Sequence, residues 1–269
     1  LVESTQALSI ERQEIDVQIA TAKRYPRVVS QSLEQARALA TMNEDIAGRC
    51  VYSLPRKDKN GVQIWIKGPS VRLAEIIAST WGNIRIGSRI KEIGEDRVVC
   101  QGVCHDMEKN VYRTMEVATK IVSKDGRRFS EDMVTNVINS TSAKAARNAV
   151  FGVVPRVYID MIYENAVAVA QGTQKTIVER RTKMLEHFRK LGVDEERLLA
   201  FLGKRAVDDL DLEDLDNLHG LAQAIKDGEE SIDVFDRMAA PPVEAVFTKE
   251  QLAERAATAG DLIKQISDE

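Results

Sequence analysis

A chain of 269 residues is long enough for one large domain or two smaller ones with real cores. Its formal charge of -4 conceals a split: residues 47–156 carry 19 basic against 11 acidic side chains, while residues 207–269 carry 5 against 17. A basic body with an acidic end points to a polyanionic partner for the body, and the lack of any apolar run near ~20 residues excludes a helical membrane span.

In chain order, Glu14 to Ala22 alternates Ile15, Val17 and Ile19 against polar neighbours, which predicts a strand. A basic break, Lys23-Arg24-Tyr25-Pro26-Arg27, follows. Ser32 and Gln35 have capping-box spacing, and Leu39, Met42 and Ile46 continue a helical stripe, so residues 32–47 read as one helix. From Cys50 the period changes to two. Val51 to Leu54 and Val62 to Lys67 flank an Asn60-Gly61 turn, giving a hairpin with a basic tip. Trp65 on its second strand is either a platform for a stacked base or an aromatic packed on a helix. Gly68-Pro69 supplies the N-cap and first position of a helix that carries Arg72, buries Leu73, Ile76 and Ile77, and ends at Gly82. Three strands then follow, over residues 84–92, 97–105 and 111–122. On the first, Arg85, Arg89 and Lys91 share a face opposite Ile84, Ile86 and Ile90.

Residues 130–156 are the centre of the pattern. Ser130 is a good N-cap, Glu131 and Asp132 suit the positive end of a helix dipole, and Pro155 stops continuation. Val134, Val137, Ile138, Thr141, Ala145 and Ala149 fall on one side of this helix. Asn136, Ser140, Lys144 and Arg147 fall on the other, a small, polar and basic face that is either the solvated side of an amphipathic helix or one that a phosphate chain could approach. Helices over 157–171 and 176–191 complete the body, which Gly192 ends. Residues 193–238 read as a small helical appendage, with Asp194 capping one helix and Asp211 or Glu213 opening another. Residues 239–269 read as an acidic linker and tail. The expected class is therefore α+β, a hairpin and antiparallel meander packed on a long helix.

Bond-breaking chemistry is sparse. Cys100, Cys104 and His105 are three potential metal ligands on one strand without a second pair elsewhere. Gly82 to Arg89 resembles a phosphate loop only superficially, since it lacks the Lys-Ser/Thr pair and joins a helix to a strand. Asp106, Glu116 and Lys120 form the one loose nuclease-like set. No catalytic residue and no cofactor is expected. Three cysteines and no secretory leader place the chain in a reducing cytoplasm.

The layout, together with the phrases Tyr25-Pro26-Arg27, Gly68-Pro69-Ser70-Val71-Arg72-Leu73-Ala74-Glu75, Trp81-Gly82-Asn83 and Ala146-Arg147-Asn148-Ala149, resembles the phage single-strand annealing proteins of the Erf, RecT and Red-beta superfamily. The likeness covers about residues 10–190. Residues 215–235 are similar to the appendage that phage members carry. The resemblance implies a ring or filament of identical subunits that holds single-stranded DNA by its phosphates, leaves the bases exposed and pairs complementary strands without ATP. It implies groove cations at Lys144 and Arg147, then Lys67, Arg85, Arg89 and Lys120, with Arg72 and Arg156, and host-cell cytoplasm as the location. From charge alone, the acidic residues 207–269 are expected either to recruit a host single-strand binding protein or a phage exonuclease, or to repel DNA from other surfaces. A metal-dependent nuclease and a structural phage assembly protein are the two alternative readings.

Overall fold

A computed structural model describes residues 2–123, 125–171 and 177–238. The chain is α+β, as expected. It opens with helix α1 (Val2–Arg24), α2 (Val29–Ala40) and α3 (Glu44–Arg49). The hairpin is β1 (Val51–Lys57) and β2 (Gln63–Pro69), and α4 (Val71–Trp81) follows. A second sheet comprises β3 (Ile84–Ile93), β4 (Arg97–Asp106) and β5 (Val111–Lys120), antiparallel in the order β3-β4-β5. Next come α5 (Glu131–Val153), α6 (Arg156–Ala170), α7 (Ile177–Lys190), α8 (Glu195–Leu202), a 3-10 turn at Val207–Asp209, α9 (Leu212–Lys226) and α10 (Val234–Met238).

The predicted strand at Glu14–Ala22 is helical, lying inside α1. The apolar residues there also recur at four and three: Ile15, Ile19 and buried Ala22 share a helical side, while Val17 is 65% exposed. An alternation five residues long, set among Gln, Glu, Ala and Lys, is too short to outweigh helix propensity. The predicted helix over residues 32–47 is broken in two. Asn43 accepts a hydrogen bond from the Ile46 amide at 2.9 Å and so caps a new helix, while Ser32 is buried inside α2 rather than capping it. Gly68 and Pro69 end β2 rather than opening α4. The N-cap is Ser70, whose hydroxyl accepts from the Leu73 amide and donates to the Arg49 carbonyl at 2.6 Å.

The long helix forms where its cap and core stripe place it. Ser130 Oγ accepts from the Met133 amide, and Val134, Thr141, Ala145 and Ala149 are buried. These residues face the inner side of the three-stranded sheet, where β4 presents Val98, Cys100, Gly102 and Cys104. Contact is closest at Gly102: a Cβ there would lie 1.9 Å from the Ala145 carbonyl oxygen. Thr141 donates to the Val137 carbonyl at 2.6 Å and lies 2.8 Å from the Thr119 hydroxyl, so its buried hydroxyl is satisfied.

The first and third phrases of the resemblance meet in a buried cluster. Arg27 donates both terminal nitrogens to Asp106, at 2.6 Å each, and its backbone amide to Glu108 at 2.8 Å. Its guanidinium lies 4.6 Å from the centre of the Trp81 ring, and Asn83 donates to both the Tyr25 carbonyl and Glu108. Tyr25-Pro26-Arg27 and Trp81-Gly82-Asn83 therefore join α1, α4 and the end of β4.

A second apolar cluster holds the C-terminal helices. Phe188, Leu198, Phe201, Leu210, Leu218, Leu221, Val234 and Phe235 pack together, with α7 contributing Phe188. Trp65 joins this cluster edge-on to Phe201, ring centres 5.9 Å apart, so of its two readings the packed aromatic is the observed one. Where α9 meets the body, His219 is held down to about 4, chiefly by burial and also by the cations of Arg180 and Arg49, against the pull of Asp45. A histidine held below its ordinary 6.5 contributes stability that is full above that value and lost as pH falls toward 4. His219→Gln is expected to flatten the decline in urea midpoint between those two pH values; an unchanged pH profile would contradict this.

Candidate nucleic-acid interface

The pleat of the three-stranded sheet divides its side chains into two sets. The inner set packs on α5. The outer set can be followed by register: Arg85 opposite His105 opposite Tyr112, then Arg89 opposite Gln101 opposite Glu116, then Arg97 opposite Lys120. From the first row to the last is eight residues of β4, about 27 Å at strand spacing. Apart from Gln101, these side chains are exposed or half-exposed. Gly87 lies on the same face, and a Cβ on it would meet nothing within 4 Å.

The face is organised by hydrogen bonds as well as charge. Arg89 donates through Nε and Nη2 to Gln101 Oε1, at 2.8 and 2.5 Å. Gln101 Nε2 in turn donates to Glu116 Oε1 at 2.9 Å, and Lys91 lies 3.6 Å from the same carboxylate. A β-bulge between Ile90 and Glu92 shifts the register at Lys91. Tyr112 is 56% exposed, with its ring edge-on to His105 at 5.8 Å. Cations beside an exposed aromatic ring on an open sheet form a surface suited to phosphates and unstacked bases.

The predicted cations do not form one surface. Arg85, Arg89 and Lys120 come together on the outer sheet face, but Lys144 and Arg147 lie across both the sheet and α5 from them. There they are covered by the turn that follows α9. Lys144 Nζ donates to the Gly228 carbonyl at 2.6 Å, and Arg147 Nη1 donates to Glu229 Oε1. Arg147 and Glu229 side chains are only 11% and 8% exposed. Burial, and secondarily the Arg147 charge, holds the Lys144 ammonium below its ordinary value; burial likewise lowers Arg147. The sequence showed the polar helix face correctly but not what fills it, because the partners lie more than 80 residues away.

The remaining predicted residues are dispersed. Lys67 is exposed on the hairpin and acts electrostatically on Asp216 of α9. Arg72 is paired with Glu75 on α4, and Arg156 with Asp160 at 2.7 Å on α6. Asp106 and Glu116 of the nuclease-like set are not brought together either. Glu116 is on the outer face, whereas Asp106 is tied to Arg27, and strand alternation separates the two. Cys100 and Cys104 face α5 while His105 faces outward, so these three do not converge. Burial pushes the Cys104 thiol up to about 12, with the Asp106 charge adding to it. Among the described residues no group of three or more His, Cys, Asp or Glu is placed to hold a metal ion.

Gln101, His105 and Tyr112 were missed as members of the face. The signal was available in the pairing: once the two turns are fixed, counting back along β4 and β5 puts them beside Arg85 and Arg89. Comparison with known protein families, characterised proteins and solved structures finds no match for this chain.

Proposed function

We propose that the chain binds single-stranded DNA along the outer face of the three-stranded sheet and promotes the annealing of complementary strands without nucleotide hydrolysis. The observation that carries this reading is the exposed face that bears Arg89, Lys91 and Lys120 along its length and exposed Tyr112 at one end. Cations at intervals along a strand neutralise phosphates, and a sheet without walls leaves the bases open to a second strand. Lowered repulsion lets complementary bases sample register, and the duplex supplies the driving free energy. The likeness of the sequence phrases to phage single-strand annealing proteins supports the same reading, including association of identical subunits and a role in phage recombination inside the host cell. No helix among the described residues is long and apolar enough to cross a membrane. The acidic tail expected to recruit protein partners lies, from residue 239, outside the described residues.

Fluorescence anisotropy of a labelled oligothymidylate over a range of salt concentrations tests the reading. Arg89→Ala with Lys91→Ala is expected to lower the slope of log affinity against log salt by about 1.4, two phosphate contacts at ~0.7 each. Tyr112→Ala is expected to cost about 1–3 kcal/mol of binding with little change in that slope, since stacking is not a charge interaction. Adding the complementary strand should then give pairing faster than in protein-free solution. Absence of binding at low salt, or binding unaffected by all three substitutions, would remove this face from consideration.

A further inference from the structure

The turn that ends α9 meets the outer side of α5 through the contacts a pair of phosphates would make. Lys144 and Arg147 of α5 reach Gly228 and Glu229, and Arg56 of β1 pairs with Glu230 at 2.8 Å. Three cations of α5 and β1 thus converge on one carbonyl and two carboxylates within three consecutive residues, and Glu230 pairs as well with Arg237 of α10. The Arg147 guanidinium also lies 5.5 Å from the centre of the Tyr52 ring. We propose that this side of α5, with Tyr52 and Arg56, is a second single-strand-binding site, and that the Gly228–Glu230 turn occupies it in place of phosphates until nucleic acid displaces it. The proposal rests on the reading of single-stranded DNA as the ligand.

Three features suit the turn to this role. Gly228 has φ +69°, and a Cβ on it would lie 2.3 Å from Ser140 Cβ, so only glycine lets the turn sit this close to the helix. The C-terminal helices, α7 to α10, are built round an apolar cluster of their own, which Trp65 of β2 touches. Where α9 and α8 meet the hairpin, the contacts include small and polar ones, Gly220 on Ser53 and Asn217 beside Ser53, together with the edge of Trp65 on Phe201. Interfaces of this kind allow one unit to move against another. Carboxylates in buried ion pairs add little net stability, so exchanging them for phosphates is close to even.

The test uses the full chain and a labelled oligothymidylate. Glu229→Gln with Glu230→Gln is expected to raise low-salt affinity about tenfold and to steepen the salt slope by about 2, from three newly available cations. Adding Lys144→Ala and Arg147→Ala to that variant should abolish the gain. In the native chain, the oligonucleotide should speed hydrogen exchange of the amides of residues 227–230. Should the carboxamide variant not fold, the exchange measurement decides alone. Unchanged affinity and slope in a folded carboxamide variant, or exchange at the turn unaffected by bound oligonucleotide, overturns the second site. If that happens while Arg89→Ala with Lys91→Ala still weakens binding, the outer-face reading survives. If the native chain binds nothing at low salt, both fall.

Discussion

Arg27→Ala is expected to destabilise the chain by about 3–5 kcal/mol, because it strands a buried carboxylate. Arg27 and Asp106 side chains are 4% and 5% exposed, and Glu108 is 10% exposed, so water cannot replace the guanidinium without opening the junction of α1, α4 and β4. The loss should appear as a lowered urea midpoint and a melting temperature reduced by on the order of 10 °C. Arg27→Ala combined with Asp106→Asn should cost less than the two single changes added together, since each single change leaves the other group unpaired. Acid tests the same cluster. Burial alone would raise the Asp106 carboxyl, but the hydrogen bonds from Arg27 and the Lys109 amide, with the Arg27 charge, outweigh it and hold the group below its ordinary 3.8. The stability this carboxylate contributes is complete above that value and is lost as pH falls through the depressed folded value. The destabilisation caused by Arg27→Ala should therefore shrink as pH falls below that value, because the native chain loses the same contribution there. A loss below about 1 kcal/mol would mean that the cluster relaxes and takes in water, contrary to this account.

Gly102→Ala is expected to be nearly as damaging, at about 3 kcal/mol or more, although it adds one methyl group. The new Cβ would lie 1.9 Å from the Ala145 carbonyl oxygen and 2.5 Å from the Ala146 nitrogen. Both are backbone atoms of α5, so no change of rotamer relieves the overlap and the helix must lift from the sheet. Gly87→Ala is the control. It adds the same methyl to the same sheet on the open face, where it meets nothing, and should be neutral or stabilising by about 0.5 kcal/mol. Thermal melts of the two variants side by side separate helix seating from any general intolerance of β-sheet glycines to substitution. Equal melting temperatures would contradict the layer arrangement.

How far the fold was legible depended on the range of the interactions that decide each element. α5 was readable from its cap, its acidic first turn and a stripe of Val134, Thr141 and Ala145, all local signals. The hairpin and meander were readable because Asn60-Gly61 and the later turns punctuate runs of period two. α1 was misread because Ile15, Val17 and Ile19 satisfy two periods at once over a short window. The break before α3 was missed because Asn43, a cap by chemistry, sat inside a continuous apolar stripe. The site was less legible than the fold. Charge and periodicity identified Lys144 and Arg147 as a polar helix face, yet Glu229 fills it from a distant part of the chain. The phrases around Arg27 and Trp81 were noticed as a likeness and turned out to join three elements through Asp106, which no local pattern foretold.

The hairpin's inner face waits for a partner that the ribosome delivers late. Ser53 contacts Asn217, 164 residues further along, and Trp65 rests on Phe201. The indole lies 136 residues before Phe201, so at typical synthesis rates of 5–20 residues per second it stays uncovered for about 7–27 s on each nascent chain. During that interval β1 and β2 offer a half-finished apolar surface while their own turn is already complete. Production of this protein should therefore respond to chaperone supply and growth temperature more strongly than its final stability would suggest.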